Sequence, residues 1–131
     1  MSCYYVDDTP NPKWSDARAV CQGLRGDLVV INSGEENDFV YKLVIEHEKV
    51  TQGKAWIGLK RNTDDSKCYW VDGTTLEGHY DNWSTGEPHN NGGDEDCGRL
   101  NKAPGNWYDV QCTLTGVWAP HSPTIFCEKY L

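Results

Sequence analysis

From Glu87 to Asp96 the chain reads Glu-Pro-His-Asn-Asn-Gly-Gly-Asp-Glu-Asp, which places four carboxylates and two amides in ten residues. Beyond it, Asn106-Trp107-Tyr108-Asp109 adds another carboxylate. Like charges gathered this closely repel one another unless a cation neutralises them. A hard cation such as Ca²⁺ takes about six to eight oxygen ligands from carboxylates, amide carbonyls and water. A solvated acidic loop has the same composition, so composition alone leaves both readings open. The spacing is not that of an EF-hand, which needs a Gly and a closing Glu at fixed offsets.

Other chemistries find little support. His47-Glu48 is followed by Thr51 where a zinc protease carries its second His. No Gly-x-Ser-x-Gly elbow occurs, and no Cys-x-x-Cys pair suggests a zinc ribbon or a redox site. His89 near Glu87 and Asp109 has the makings of an acid–base pair, but no nucleophile accompanies it. The expectation is a protein that binds and does not catalyse.

The elements that must position these residues are α and β in succession. Trp14, Ala17, Cys21 and Leu24 fall on one helical face, with Pro12 before the run and Gly26 after it. An apolar strand follows at Leu28–Ile31. Ser33 with Glu36 three residues on fits a capping box, and Phe39, Val40, Leu43 and Val44 form the apolar stripe of a second helix. After residue 50 come short strand-like pieces: Ala55–Leu59, Cys68–Val71, Cys97–Leu100, Trp107–Cys112 and Thr124–Lys129. Between Asp72 and Asp96 lie about 25 residues rich in Gly, Asn, Asp, Thr and Pro, a length that in a compact domain usually serves a function.

Length and charge bound the function. The 131 residues suit one domain, 1–131. A net charge of −8 argues against nucleic acid, which needs a basic footprint, and against anionic membrane surfaces. No apolar run approaches a membrane span, and no leader follows Met1, which fits a mature form or a cytosolic protein. The six cysteines, at positions 3, 21, 68, 97, 112 and 127, favour the former. Spread singly, they read as a disulfide framework from an oxidising compartment, so the expected location is secreted or extracellular.

Taken in order, several motifs resemble the C-type lectin-like domain. They are Trp56-Ile57-Gly58-Leu59, Tyr69-Trp70-Val71-Asp72-Gly73, Trp83, Glu87-Pro88, Glu95-Asp96-Cys97, Trp107-x-Asp109 and Phe126-Cys127-Glu128. Trp14-x-x-Ala17-x-x-x-Cys21 and Gly26-x-Leu28 match the first helix and following strand of that domain. The resemblance implies an α+β fold, with two helices packed on short antiparallel sheets and a long polar loop, stapled by disulfides. It pairs Cys21 with Cys127 and Cys97 with Cys112. Cys3 and Cys68 are left to pair with each other, or to form an interchain bridge.

The resemblance also implies a carbohydrate-binding lectin in which one Ca²⁺ takes vicinal sugar hydroxyls as ligands. By position, Glu87, Glu95 and Asp109 match the metal-holding carboxylates. Glu87, His89, Glu95, Tyr108 and Asp109 then face the sugar. His89 and Tyr108 stand where mannose-type members carry Asn, so the ion loses amide oxygens and is expected to bind weakly. A nitrogen ligand suits Ca²⁺ poorly, and a neutral phenol is a weak donor. Glu-Pro-His is neither the Glu-Pro-Asn of mannose-type members nor the Gln-Pro-Asp of galactose-type ones; the retained Glu87 leans to the former. The expected partners are glycans or glycoconjugates, with a homodimer supplying avidity. The alternative is a calcium-independent module of the same fold that binds protein, ice or a mineral surface. Two minor features are expected to be structural. These are the long Cys112–Cys127 tip, with Trp118, Pro120 and His121, and the Asn82-Trp83-Ser84 glycosylation sequon, whose Trp83 would anchor the loop.

Overall fold

The first helix, α1 (Trp14–Gly23), forms where the periodicity places it, with Trp14, Ala17 and Cys21 buried along one face. Its start is capped by the Asp16 carboxylate, which accepts the Lys13 N–H at 3.2 Å. Leu24 was expected on the buried face, but the helix ends before it and the turn carries it outward. The backbone then crosses the C-terminal strand so closely at Gly26 that a Cβ there would lie 2.4 Å from the Glu128 carbonyl oxygen. These coordinates come from a computed structural model that describes residues 2–7, 12–47, 54–88, 96–101, 105–113 and 123–130.

The second helix, α2 (Gly34–Glu46), starts at Ser33, whose Oγ accepts the Glu36 N–H at 3.1 Å. The reciprocal half of the box reaches one residue further back than expected: Glu36 accepts from the Asn32 N–H at 2.8 Å. The buried face of α2 is Asn37, Val40 and Val44. Phe39, expected in that stripe, lies at its edge and is 49% exposed. Its ring instead meets Tyr4 at 5.2 Å.

Among the described residues, seven strands build two antiparallel sheets. They are β1 (Ser2–Asp7), β2 (Asp27–Leu28), β3 (Lys54–Arg61), β4 (Cys68–Trp70), β5 (Cys97–Asn101), β6 (Trp107–Val110) and β7 (Ile125–Tyr130). One sheet has the order β1-β7-β2 and the other β4-β3-β5-β6. The expected strand at Leu28–Ile31 pairs only through Asp27 and Leu28. Val29 leaves the ladder to join the sheets, donating to the Phe126 carbonyl at 3.3 Å and accepting from Gly58 at 2.8 Å. Strand β1 is not among the strand-like pieces that the residue pattern marks. It pairs with β7 from Ser2↔Tyr130 to Asp7↔Ile125 and turns its side chains alternately in and out.

Apolar burial closes two linked clusters. One gathers Ile57, Leu100, Trp107 and Phe126, the other Trp14, Leu28, Trp56 and Ile125. Three buried indoles each find an acceptor: Trp14 donates to the Ile57 carbonyl at 2.9 Å, Trp56 to Pro12 at 3.1 Å and Trp107 to the Asn37 side chain at 2.8 Å.

Two disulfides staple the fold. Cys21–Cys127 ties α1 to β7 across 106 residues, and Cys97–Cys112 ties β5 to the residues after β6 across 15. Chain-entropy models assign such loops about 4.7 and 3 kcal/mol. Cys3 and Cys68 do not pair with each other. Cys3 is a free thiol exposed on β1 and Cys68 a half-buried one on β4, in separate sheets. Burial pushes the Cys68 thiol pKa up, and the nearby Arg61 offsets part of that.

Candidate functional site

Strand β6 is the platform of the site, and the long loop is bonded onto it. The Trp107 N–H donates to the Asn82 carbonyl at 2.9 Å, and Ser84 N–H donates back to Trp107 at 2.9 Å. The Asn82 side-chain amide donates to Gly105 at 3.0 Å, so the amide of the sequon is engaged in holding the loop. Trp83 and Tyr80 both meet the Trp107 ring edge-on, at 5.9 and 5.8 Å, and Trp70 approaches it perpendicularly at 5.4 Å. Trp83 is thus the expected anchor, half-buried against a fully buried Trp107.

The start of the loop is also less irregular than its composition suggests. Asp72 accepts from both the backbone and the hydroxyl of Thr74, at 3.0 and 2.6 Å. The Leu76 N–H donates to Cys68, so the chain doubles back on β4. Short polar residues satisfy backbone groups locally here, the role Asp and Thr play in turns.

This anchoring delivers Glu87 to Asp109. The Glu87 N–H is held by the Ser84 carbonyl at 2.9 Å, and the Glu87–Pro88 peptide is cis. The Glu87 carboxylate then accepts the Asp109 N–H at 3.4 Å. Asp109 is buried, and Tyr108 beside it is half-buried. The Tyr108 hydroxyl accepts from Ser84 at 3.2 Å, and the Arg99 guanidinium covers its ring at 5.3 Å. Of the five residues expected at a sugar site, the structure therefore brings Glu87, Tyr108 and Asp109 together. His89 and Glu95 lie outside the described residues.

Arg61 was not foreseen. Its guanidinium reaches Asp96 with one nitrogen and Asp109 with another, each at 3.5 Å. The Arg61 N–H also donates to the Asp96 carbonyl at 2.6 Å. Arg61 ends β3, a strand whose residues 55–59 are all buried, and is itself only half-exposed. A charge at such a position needs partners, and that was the available signal. The carboxylates it meets are 35 and 48 residues away, which no local pattern reveals.

Among the described residues, no three His, Cys, Asp or Glu side chains group closely enough to hold a metal. Those that the resemblance assigns to a cation, Glu87 and Asp109, offer only oxygen. Asp109 brings a buried carboxylate, and Glu87 lies against its N–H. This donor chemistry fits a hard divalent cation. Asp96, next in the chain to Glu95, is fixed within reach of the same guanidinium that touches Asp109.

Comparison with known proteins agrees with this architecture. Mouse asialoglycoprotein receptor 2 is 37% identical over 134 residues, covering 98% of this chain and 38% of the receptor. The chain spans between about a quarter and a little over half of the relatives it matches. The mouse scavenger receptor C-type lectin carbohydrate-recognition domain superposes with a TM-score of 0.78 at 32% identity, covering 98% of this chain and 89% of that one. The C-type carbohydrate-recognition domain of cow CD23, solved in the presence of a GlcNAc2Man3 oligosaccharide, gives 0.76 at 31% identity, covering 99% and 88%. The family model for the lectin C-type domain matches residues 11–118, and with two helices, two small sheets and two disulfides in the expected places, the chain belongs to the C-type lectin domain family.

Proposed function

We propose that the protein binds carbohydrate, without catalysis, through a calcium ion held by Glu87, Glu95 and Asp109. The observation that carries this reading is the contact between the Glu87 carboxylate and the Asp109 N–H, which sets a loop carboxylate beside a strand carboxylate. Calcium, when bound there, would accept vicinal sugar hydroxyls as ligands. The carboxylates of Glu87 and Glu95 would accept hydrogen bonds from those hydroxyls, and His89 would donate one. The Tyr108 ring, covered by Arg99 and tethered to Ser84, is fixed as a wall of the site. The relatives named as carbohydrate-recognition domains support the sugar class at the level of the family.

We place the protein outside the cell, on the strength of the two disulfides. No described helix is long and apolar enough to cross a membrane. A second copy is the expected partner for avidity, and the exposed Cys3 offers an interchain bridge.

The test is binding to immobilised glycans in calcium buffer, repeated with a chelator and at falling pH. Binding should vanish with chelator and fade towards pH 5 and below, as protons compete for the carboxylates. Sugar binding that survives chelation, or is unchanged at pH 4.5, would sink the calcium bridge. It would favour the calcium-independent reading, to which Arg61 lends support because it already supplies positive charge to two carboxylates.

A further inference from the structure

We infer that Arg61 is a resident counter-cation of the candidate calcium site: it holds Asp109 and Asp96 in place without a metal and lowers the affinity of the site for calcium. The inference rests on the calcium reading above. Its geometry is that of a fork spanning two acids, since one guanidinium nitrogen faces Asp96 and the other Asp109, each at 3.5 Å. The Arg61 and Asp109 side chains are 11% and 3% exposed, so solvent and salt screen them little. The Asp96 side chain is 17% exposed, and a carboxylate as buried as Asp109 beside a second one would resist desolvation if no positive charge reached both. The guanidinium cannot shed its charge at any relevant pH, so the compensation is permanent. A divalent ion reaching Asp109 must therefore share that carboxylate with a fixed positive charge a few ångströms away. That repulsion opposes binding.

Two consequences separate this role from plain packing. Without calcium, the carboxylates stay paired, so the calcium-free fold remains intact. With calcium, the gain is smaller than the same acids would give if Arg61 were neutral. Arg61→Gln keeps a donor towards Asp109 and removes the charge. Arg61→Lys keeps the charge and loses the fork.

The experiment is isothermal titration with CaCl₂, together with thermal melts in chelator and in 10 mM CaCl₂, on the unmutated protein and both variants. Arg61→Gln should melt lower than the unmutated protein in chelator and gain more from calcium, with calcium affinity tighter by roughly tenfold. Arg61→Lys should bind calcium within about twofold of the unmutated protein. If Arg61→Gln binds calcium no more tightly than the unmutated protein, or more weakly, the inference is wrong. If the unmutated protein shows no response and Arg61→Gln acquires one, the inference stands and the proposed function falls. If neither responds, both fall. Should Arg61→Gln fold only in calcium, the inference is supported. Should it fold in neither buffer, the Arg61 Nε–H resonance of the unmutated, isotope-labelled protein decides: a shift on calcium addition supports the role, and an unmoved resonance overturns it.

Discussion

Asn37 is a polar residue buried in the first turn of α2, and its replacement by Ala tests how Trp107 is held. The Asn37 side chain accepts the Trp107 indole N–H at 2.8 Å and donates to the Gly105 carbonyl at 3.1 Å. Ala strands the indole N–H in a fully buried site, at a cost of about 1–3 kcal/mol. The Gly105 carbonyl keeps its second donor, the Asn82 amide at 3.0 Å, so little is lost there. The vacated amide leaves a small void worth about 1 kcal/mol, and the better helix propensity of Ala returns roughly 0.5 kcal/mol. The net expectation is a loss of about 1.5–3.5 kcal/mol, or roughly 5–17 °C in Tm for a domain of this size. Chemical denaturation followed by tryptophan fluorescence measures the first figure, and calorimetry the second.

The double variant Asn37→Ala with Asn82→Ala sharpens the test. Each single change leaves Gly105 one donor, and the pair removes both, so the combined loss should exceed the sum by about 0.5–1 kcal/mol. A single-variant loss below about 0.5 kcal/mol would mean that water reaches the indole N–H and that the buried hydrogen bond is not what seats Trp107.

Three other outcomes follow. Gly26→Ala should cost about 1–3 kcal/mol in a urea titration, because its Cβ would meet the Glu128 carbonyl oxygen at 2.4 Å; an unchanged midpoint would show that α1 and β7 separate freely. A thiol reagent under native conditions should modify exposed Cys3 quickly and half-buried Cys68 slowly, and equal rates would contradict their different burial. Burial, with Glu128 nearby, pushes the Tyr4 hydroxyl up to about 12 from its usual 10.0. The native state therefore keeps a proton that the unfolded chain loses, and stability should decline as pH rises from about 10 to 12. Urea midpoints on thiol-blocked protein should show this decline and show it reduced in Tyr4→Phe; identical slopes would refute the assignment.

The helices were legible because a 3.6-residue period and a Ser cap are local signals, and both survived folding at Trp14, Ala17, Cys21 and Ser33. What failed was decided by distant chain. Phe39 follows the apolar pattern, yet Tyr4 of β1, far off in sequence, turned out to be its partner. Residues 28–31 look like a strand, and Leu28, Val29 and Ile31 are buried, but Val29 divides its hydrogen bonds between two sheets. At the site, the resemblance to the C-type lectin-like domain put Glu87 and Asp109 together, and the anchoring of residues 82–84 on Trp107 explains how they meet. Arg61 stayed hidden because its role exists only once β3 lies beside β5 and β6 carries Asp109 to it.

The pairing of Ser2 with Tyr130 makes the two ends of the described chain cross-strand neighbours. A short linker could therefore close the chain on itself, with new ends opened in the exposed turn at Thr63–Asp65. In that circular permutant β7 and β1 become a local hairpin, where now they are the most distant pairing in the chain. Lower contact order should speed the formation of this sheet. The Cys21–Cys127 bridge would then close a loop of roughly 30 residues, and the stabilisation it draws from chain entropy should fall by about 1 kcal/mol. The same crosslink that secures the native order of elements would matter less in a rearranged one, although no contact in the folded protein had changed.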